Sequence, residues 1–380
     1  MNLFFSAGEP SGDLHGANLI RSLRSRNPNT QITGFGGPKM SAAGADLHFP
    51  LTELSVMGLR RVLRHIPTFF RLAGEAERLF RDQRPDAVVL IDYPGFNFEL
   101  AKRAHAVGIP VYYFVPPQLW AWRRGRARQV RKWCAGVLSA LPFEDDWYRS
   151  RGIRTHYVGH PYFDELAGQK LDPEFLGEER AKSGAVVGLL PGSRNQEVAA
   201  NFSMMLAAAR KVKANRPDAR FLVAAFNDRH AAAVREVAAS AGFPVAVHVG
   251  RTPEIIELSD SCIAVSGSVS LELMYRAKPS VVVYRMSPLS LWLARRLVKL
   301  PYFTLVNLLA NAELFPEIAT ARDESDRIAG HVLGWLNNPT LRDNAVAKLI
   351  ALRNRAAVPG ACERAAEFLL GEPASLRRAA

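Results

Sequence analysis

Short apolar runs of three to six residues alternate along the whole chain with longer stretches of helical periodicity, the pattern of a parallel sheet with helices on both faces. In the first half the runs predict strands at 3–7, 31–36, 87–91, 111–115, 137–140 and 156–158. In the second half they predict strands at 185–190, 221–225, 245–249, 263–265 and 280–284. Between the sets, 159–183 is polar, holds Pro161, Pro173 and Gly177, and keeps no period for long, so it reads as a linker. After 284 the pattern is helical to the end. The expected architecture is α/β: two doubly wound, Rossmann-like domains facing one another across a cleft, spanning 1–165 and 166–345, with helices over 346–380 able to pack back on the first. Sheets of this kind bind ligands beyond the C-terminal ends of their strands.

The length of 380 residues fits two domains better than one core. With 48% hydrophobic and 22% charged residues, and with Gly and Pro scattered, the chain is globular rather than low-complexity. A net charge of +13 favours an anionic partner without choosing among nucleic acid, nucleotide, phosphorylated lipid and membrane. Cys134, Cys262 and Cys362 lie far apart in no CxxC pairing, which argues against a disulfide framework or a thiolate zinc site and suits a reducing cytosol. Neither a signal-like leader nor an apolar stretch of membrane-spanning length is apparent, so export and membrane spanning are not expected.

Four strand-to-helix turns carry candidate chemistry. The first strand runs into Gly8-Glu9-Pro10-Ser11-Gly12-Asp13, where Ser11 or Asp13 can cap the following helix and the acids Glu9 and Asp13 suit sugar hydroxyls better than phosphate. A plain capped turn is the alternative. The third strand ends in Asp92, at a partly desolvated sheet edge where a carboxylate pKa rises toward that of a general base; a turn or cap role is equally open. In the second half, Gly192, Ser193 and Arg194 open a helix whose amides, with a guanidinium fork, favour phosphate oxygens. Ser266, Gly267 and Ser268 open another, with Glu272 one turn in, where a carboxylate can pair with a ribose diol. Together the latter two suggest a nucleotide diphosphate. Neither GxGxxG nor GxxxxGK[ST] occurs there, which disfavours a dehydrogenase or a P-loop enzyme.

Basic apolar segments supply a second theme. Val62, Leu63, Ile66, Phe69 and Phe70 follow helical spacing among Arg60, Arg61, Arg64 and Arg71, as in a helix lying in an anionic interface, although Pro67 interrupts any single helix and a core-packing stripe is the competing reading. A similar segment, 289–300, sets Leu291, Trp292, Leu293 and Leu297 beside Arg295, Arg296 and Lys299. A third run, 123–132, holds six Lys or Arg and no acid, either a phosphate reader or a solvated helix face.

Taken in order, the motifs resemble the lipid-A-disaccharide synthase family. The matching strings are 7–13 (AGEPSGD), 53–58 (ELSVMG), Ile91-Asp92 with Phe96-Asn97, 118–123 (QLWAWR), 141–144 (LPFE), 158–161 (VGHP), 190–194 (LPGSR), 266–272 (SGSVSLE) and 307–310 (NLLA), spread over nearly the whole chain. The resemblance implies a two-domain inverting glycosyltransferase of the GT-B type that moves 2,3-diacylglucosamine from UDP-2,3-diacylglucosamine to the 6-hydroxyl of 2,3-diacylglucosamine 1-phosphate (lipid X). It implies no metal or other cofactor, an acceptor- and membrane-facing first domain, and a second domain for the UDP-sugar. By the same resemblance Asp92 takes the hydroxyl proton, Glu9, Ser11 and Asp13 line the acceptor side, Arg194 and the 266–268 turn take the diphosphate, Glu272 the ribose, and Asn307 the diphosphate or donor sugar. The 60–70 patch then meets the anionic inner membrane from the cytoplasmic side. No nucleic-acid partner is implied, and a homo-oligomer is left open.

The chain departs from the family pattern at Arg61, where members commonly carry Glu, and at Ala312 and Thr320, where a Gly-Arg pair and a Gln are usual. Donor contacts from those residues cannot be carried over. The competing readings are another UDP-sugar glycosyltransferase or epimerase of the same build, and a non-catalytic basic protein binding membrane or nucleic acid. No helix-turn-helix, RNA-binding sheet motif or zinc finger supports the last.

Overall fold

The computed structural model describes residues 1–55, 66–298 and 300–371. The first sheet holds β1 (Asn2–Ala7), β2 (Gln31–Phe35), β3 (Asp46–Phe49), β4 (Ala87–Ile91), β5 (Val111–Phe114), β6 (Gly136–Ser139) and β7 (Thr155–Tyr157), in the order β3-β2-β1-β4-β5-β6-β7. The second holds β8 (Val186–Leu190), β9 (Arg220–Ala225), β10 (Val245–Val249), β11 (Ser261–Val265), β12 (Ser280–Arg285) and β13 (Glu317–Thr320), in the order β10-β9-β8-β11-β12-β13. Every pairing is parallel. The doubly wound class expected from the pattern is therefore present twice.

Two strands escape the apolar pattern, β3 (DLHF) and β13 (EIAT), and both are sheet edges. An edge strand has one paired neighbour, is only partly covered, and so tolerates the acids that open both of these. The helical reading of everything beyond 284 is corrected by β13.

Along β4 the residues alternate between two cores: Val88 and Leu90 pack with Phe4, Phe35, Phe80 and Tyr113, while Ala87, Val89 and Ile91 pack with Leu3, Phe5, Ile20 and Phe114. Burial on both faces is why such strands are continuously apolar rather than alternating. In the second sheet Val187, Leu189, Val223, Ile263, Val281 and Val283 form one core face against the helices Asn195–Asn215 and Ser325–Asn337.

Contacts divide the chain into one unit of Met1–Ala167 plus the segment from Val358 onward, and a second of Gly168–Ala357. A boundary at 345/346 would cut the continuous helix Pro339–Ala356, which belongs to the second unit; the chain returns to the first only at Val358. There the helix Ala361–Gly371 lays Cys362, Ala365, Ala366 and Leu369 against Ile20 and Leu23 of the helix Pro10–Arg26. Asp164 caps it, its carboxylate accepting from the amides of Gly360, Ala361 and Cys362 at 2.6, 3.1 and 2.8 Å.

Candidate active site

In each sheet the chain winds outward from its first strand and then crosses back to that strand's other side. The reversal falls between β1 and β4 in the first unit and between β8 and β11 in the second. Loops leaving neighbouring strands at such a point diverge and open a crevice at the strands' C-terminal ends.

In the first unit Ala7 is in register with Ile91, so the Gly8 turn and Asp92 emerge side by side. The approach is tight: a Cβ at Gly8 would lie 2.2 Å from Cδ1 of Tyr93. Asp92, Tyr93 and, at the end of β5, Val115 all take left-handed backbone, with φ of 45°, 46° and 50°. For non-glycine residues this costs on the order of 1–3 kcal/mol each, and a β-branched Val there is a true outlier. A buried lattice of hydrogen bonds holds the turn. Asn97 Nδ2 donates to the carbonyls of Asp92 and Ile91 at 2.8 and 3.2 Å, Ser6 Oγ donates to Asn97 Oδ1 at 2.7 Å, and the Asp92 amide donates to the Val115 carbonyl at 3.3 Å. Tyr113 Oη adds a 2.7 Å bond to the Asp92 carbonyl. Burial, and then the charge of Asp92, push the Tyr113 hydroxyl well above its ordinary pKa, so it stays a donor. Asp92 itself is half-buried.

The acceptor-side residues separate. Glu9 is the N-cap of the helix Pro10–Arg26 and is half-buried, and Ser11 is exposed in its first turn. Neither Ser11 nor Asp13 caps that helix, since Pro10 at its first position starts it without a side-chain cap. Asp13 points elsewhere: buried, it accepts from the amides of Gly37, Lys39 and Met40 at 2.9–3.0 Å, capping the short helix Pro38–Ala42. The expectation that Asp13 lines the acceptor side gives way to this structural role. His15, two residues further, meets His160 edge to face at 5.8 Å. Burial and its neighbours push His15 down to about 3, and burial, against the pull of Asp164, pushes His160 down to about 4.

In the second unit Leu190 is in register with Ala264, which brings the turn after β8 beside the turn after β11. Gly192 has φ of 105°, and a Cβ there would meet Glu197 Oε2 at 2.7 Å. Arg194 is the N-cap of the 21-residue helix Asn195–Asn215; its amide donates to Glu197 Oε2 at 3.3 Å and its Nη1 to Oε1 at 2.8 Å, with the guanidinium exposed beside exposed Ser193. Across from it, Ser266 is half-buried and Gly267 and Ser268 are exposed. The helix that follows, Val269–Tyr275, is only two turns long, so hydroxyls and amides rather than a helix dipole give this turn its polarity. Glu272 is buried, its Oε1 held by Arg276 Nε at 3.1 Å; Arg276 also reaches Glu257 and Gln169.

Asn307 does not reach a ligand surface. Fully buried, it donates to the Phe315 carbonyl at 2.7 Å and to Glu317 at 2.8 Å, and accepts from the amides of Leu314 and Phe315 at 2.9 Å. Its amide ties the helix Leu305–Ala310 to the loop before β13, and the donor-sugar expectation for it is withdrawn. Glu317, which the apolar pattern missed, completes that knot by accepting from Phe303, Thr304 and Asn307. Nothing in the spacing around Asn97 or Tyr113 points to the Asp92 carbonyl they share, although the string Phe96-Asn97 marks the place.

Of the basic apolar patch, Arg61, Val62 and Leu63 lie outside the described residues. The helix Ile66–Gln83 runs through Pro67, which sits in its first turn where a missing N–H costs nothing. Ile66 and Phe70 are 43% and 65% exposed. Phe69, expected in the patch, instead packs inward on Phe96 and Tyr93, with ring centroids at 5.5 and 6.3 Å. Among the described residues no helix is long and apolar enough to cross a membrane.

A family model for lipid-A-disaccharide synthetase matches residues 3–367. The chain belongs to the lipid-A-disaccharide synthase family. It is 36% identical over 370 residues to a lipid-A-disaccharide synthase of Myxococcus xanthus, covering 96% of this chain and 95% of that protein. It is 37% identical to that of Alkalilimnicola ehrlichii over 89% of this chain and 90% of the relative. Among solved structures, UDP-GlcNAc 2-epimerase from Neisseria meningitidis aligns with a TM-score of 0.67 at 14% identity, over 98% of this chain and all (100%) of that one. MurG of Acinetobacter baumannii aligns at 0.60 and 14%, over 98% and 99%. These likenesses show a shared GT-B build, and family membership makes the protein a hexosyltransferase of lipid A biosynthesis.

Proposed function

We propose that the protein transfers a 2,3-diacylglucosaminyl group from its UDP derivative to the 6-hydroxyl of 2,3-diacylglucosamine 1-phosphate, with inversion, releasing UDP. The observation that carries this reading is the pair of switch points: one presents a strained, rigidly held Asp92, the other an Arg-capped helix start beside a Ser-Gly-Ser turn. In the proposed reaction the acceptor oxygen attacks the anomeric carbon as the bond to the UDP oxygen breaks, and the hydroxyl proton passes to the Asp92 carboxylate. Charge building on the diphosphate is met by Arg194, the Gly192-Ser193 amides and the turn Ser266–Ser268. Glu272, fixed by Arg276, is assigned to the ribose, and Glu9 and Ser11 to the acceptor. The protein is proposed to work peripherally on the cytoplasmic face of the inner membrane, where acylated substrates reside, with Ile66 and Phe70 at the lipid surface.

The test is UDP release from the two acylated sugars in detergent micelles. Asp92→Asn should lower kcat by about 10²–10⁴-fold while UDP affinity, measured by calorimetry, stays unchanged. A normal rate for the Asn variant would remove Asp92 from the role.

A further inference from the structure

The helix Pro288–Leu297 leaves β12 three residues upstream of its start, at the same sheet edge as the Arg194 and Ser266–Ser268 turns, and it buries none of its residues. Leu289, Trp292, Leu293 and Leu297, at spacings i, i+3, i+4 and i+8, lie on one face and are 73%, 51%, 47% and 60% exposed. The opposite face, Leu291 and Ala294, is half-buried against the protein. Ser287 caps the helix, accepting from the Ser290 amide at 3.1 Å, and the Met286 amide donates to the Thr320 carbonyl at 2.9 Å, so the helix is anchored at its N-terminal end. Arg296 rises from the apolar face itself, its guanidinium 4.5 Å from the centre of the Trp292 ring, and Arg295 borders it. From Arg285 to Ala312 the sequence contains no Asp or Glu.

We infer that this face is a second lipid-docking surface, on the second unit, which seats on an anionic bilayer. An exposed apolar stripe of this size on an amphipathic helix needs a cover, and its charge decides which kind. A tryptophan capped by a guanidinium is suited to the headgroup boundary, where the ring is buried while the cation meets lipid phosphate. A protein partner would have to bring acids to match a stretch that has none; an anionic leaflet brings them everywhere. The inference deepens the proposed function by setting the edge assigned to the UDP-sugar against the surface where that donor's acyl chains lie. Its evidence, exposure and charge, is independent of the reaction.

The experiment is co-sedimentation of the full-length protein with phosphatidylcholine vesicles containing or lacking phosphatidylglycerol. Arg295→Gln with Arg296→Gln should weaken binding to the anionic vesicles by about 25-fold, a factor of roughly five per charge. Trp292→Ser with Leu293→Ser should weaken it by about tenfold or more. Because none of these side chains is buried in a core, melting temperature and UDP affinity should hold, as should UDP release in micelles. Unchanged vesicle binding by both double variants overturns the proposal. So does an apolar variant that turns a dimer into a monomer in sedimentation velocity without touching vesicle binding, since the face is then a protein interface. A wild-type chain that binds vesicles through this helix yet releases no UDP in micelles would count against the reaction and leave the docking surface standing.

Discussion

Asn97→Ala tests the claim that the Asp92 turn is held against its own strain. Asn97 is fully buried, and truncation removes its bonds to the Asp92 carbonyl at 2.8 Å, the Ile91 carbonyl at 3.2 Å and the Ser6 hydroxyl at 2.7 Å. At roughly 1 kcal/mol net for each buried bond, the loss is about 3 kcal/mol. For a unit of this size that lowers Tm by about 6–12 °C. The larger consequence is local. Left-handed backbone at Asp92 and Tyr93 persists only because its surroundings over-determine it. Without the amide the turn can relax toward ordinary φ, carrying the carboxylate away by an ångström or more, which costs about 100-fold in rate. The assay is UDP release in micelles at saturating donor and acceptor, with calorimetric UDP binding and a melting curve alongside. The expected result is a kcat about 100-fold lower, an unchanged UDP affinity, since the turns proposed to hold the nucleotide belong to the other unit, and the Tm loss above. A variant that loses stability but keeps kcat within about threefold would refute the idea that the lattice positions Asp92.

Two further predictions concern the same unit. Gly8→Ala places a methyl 2.2 Å from the Tyr93 ring, so either Tyr93 or the β1 turn must move; activity should fall at least tenfold, and a Gly8→Ala, Tyr93→Ala double variant should be less impaired than the sum of the two single changes, which additive effects would contradict. For His15 the folded pKa lies below the unfolded value of 6.5, so its stabilising contribution is complete above pH 6.5 and drains away as pH falls toward about 3. Between pH 6.5 and 5 that amounts to about 2 kcal/mol, and His15→Gln should lose that much less stability than wild type in urea titrations over this interval; parallel pH profiles would show that His15 can charge in place.

Legibility in the sequence followed burial. The strands enclosed on both faces, such as β4 (AVVLI) and β8 (VVGLL), are continuous apolar runs and could be placed within a residue or two. Of the four edge strands, β7 and β10 could still be placed, but β3 and β13, which open on Asp46 and Glu317, could not, because an edge keeps one side in contact with water and no longer demands an unbroken run. The turns were visible as motifs, but the direction of each side chain was not. Asp13 and Asn307 stand in strings as suggestive as that of Asp92, yet each spends its hydrogen-bonding capacity on nearby backbone amides or carbonyls. Phe69 and Phe70 are adjacent and identical; one packs on Phe96 while the other is 65% exposed, a difference of about 100° around a helix that spacing alone does not orient.

By itself, then, the chain's order of apolar and polar residues determined two parallel α/β sheets, the turns that interrupt them, the excess of positive charge and the family to which those strings are akin. These are local or additive properties, set by period, composition and the residues a turn can accept. Tertiary structure decided the rest: that winding out and back brings Ala7 beside Ile91 and Leu190 beside Ala264, that Asn97 and Tyr113 converge on one carbonyl, and that the helix Pro288–Leu297 is left with its apolar face uncovered. Each of these depends on contacts between residues far apart in sequence, whose pairing is fixed by register and packing and leaves no mark on the segments taken one at a time.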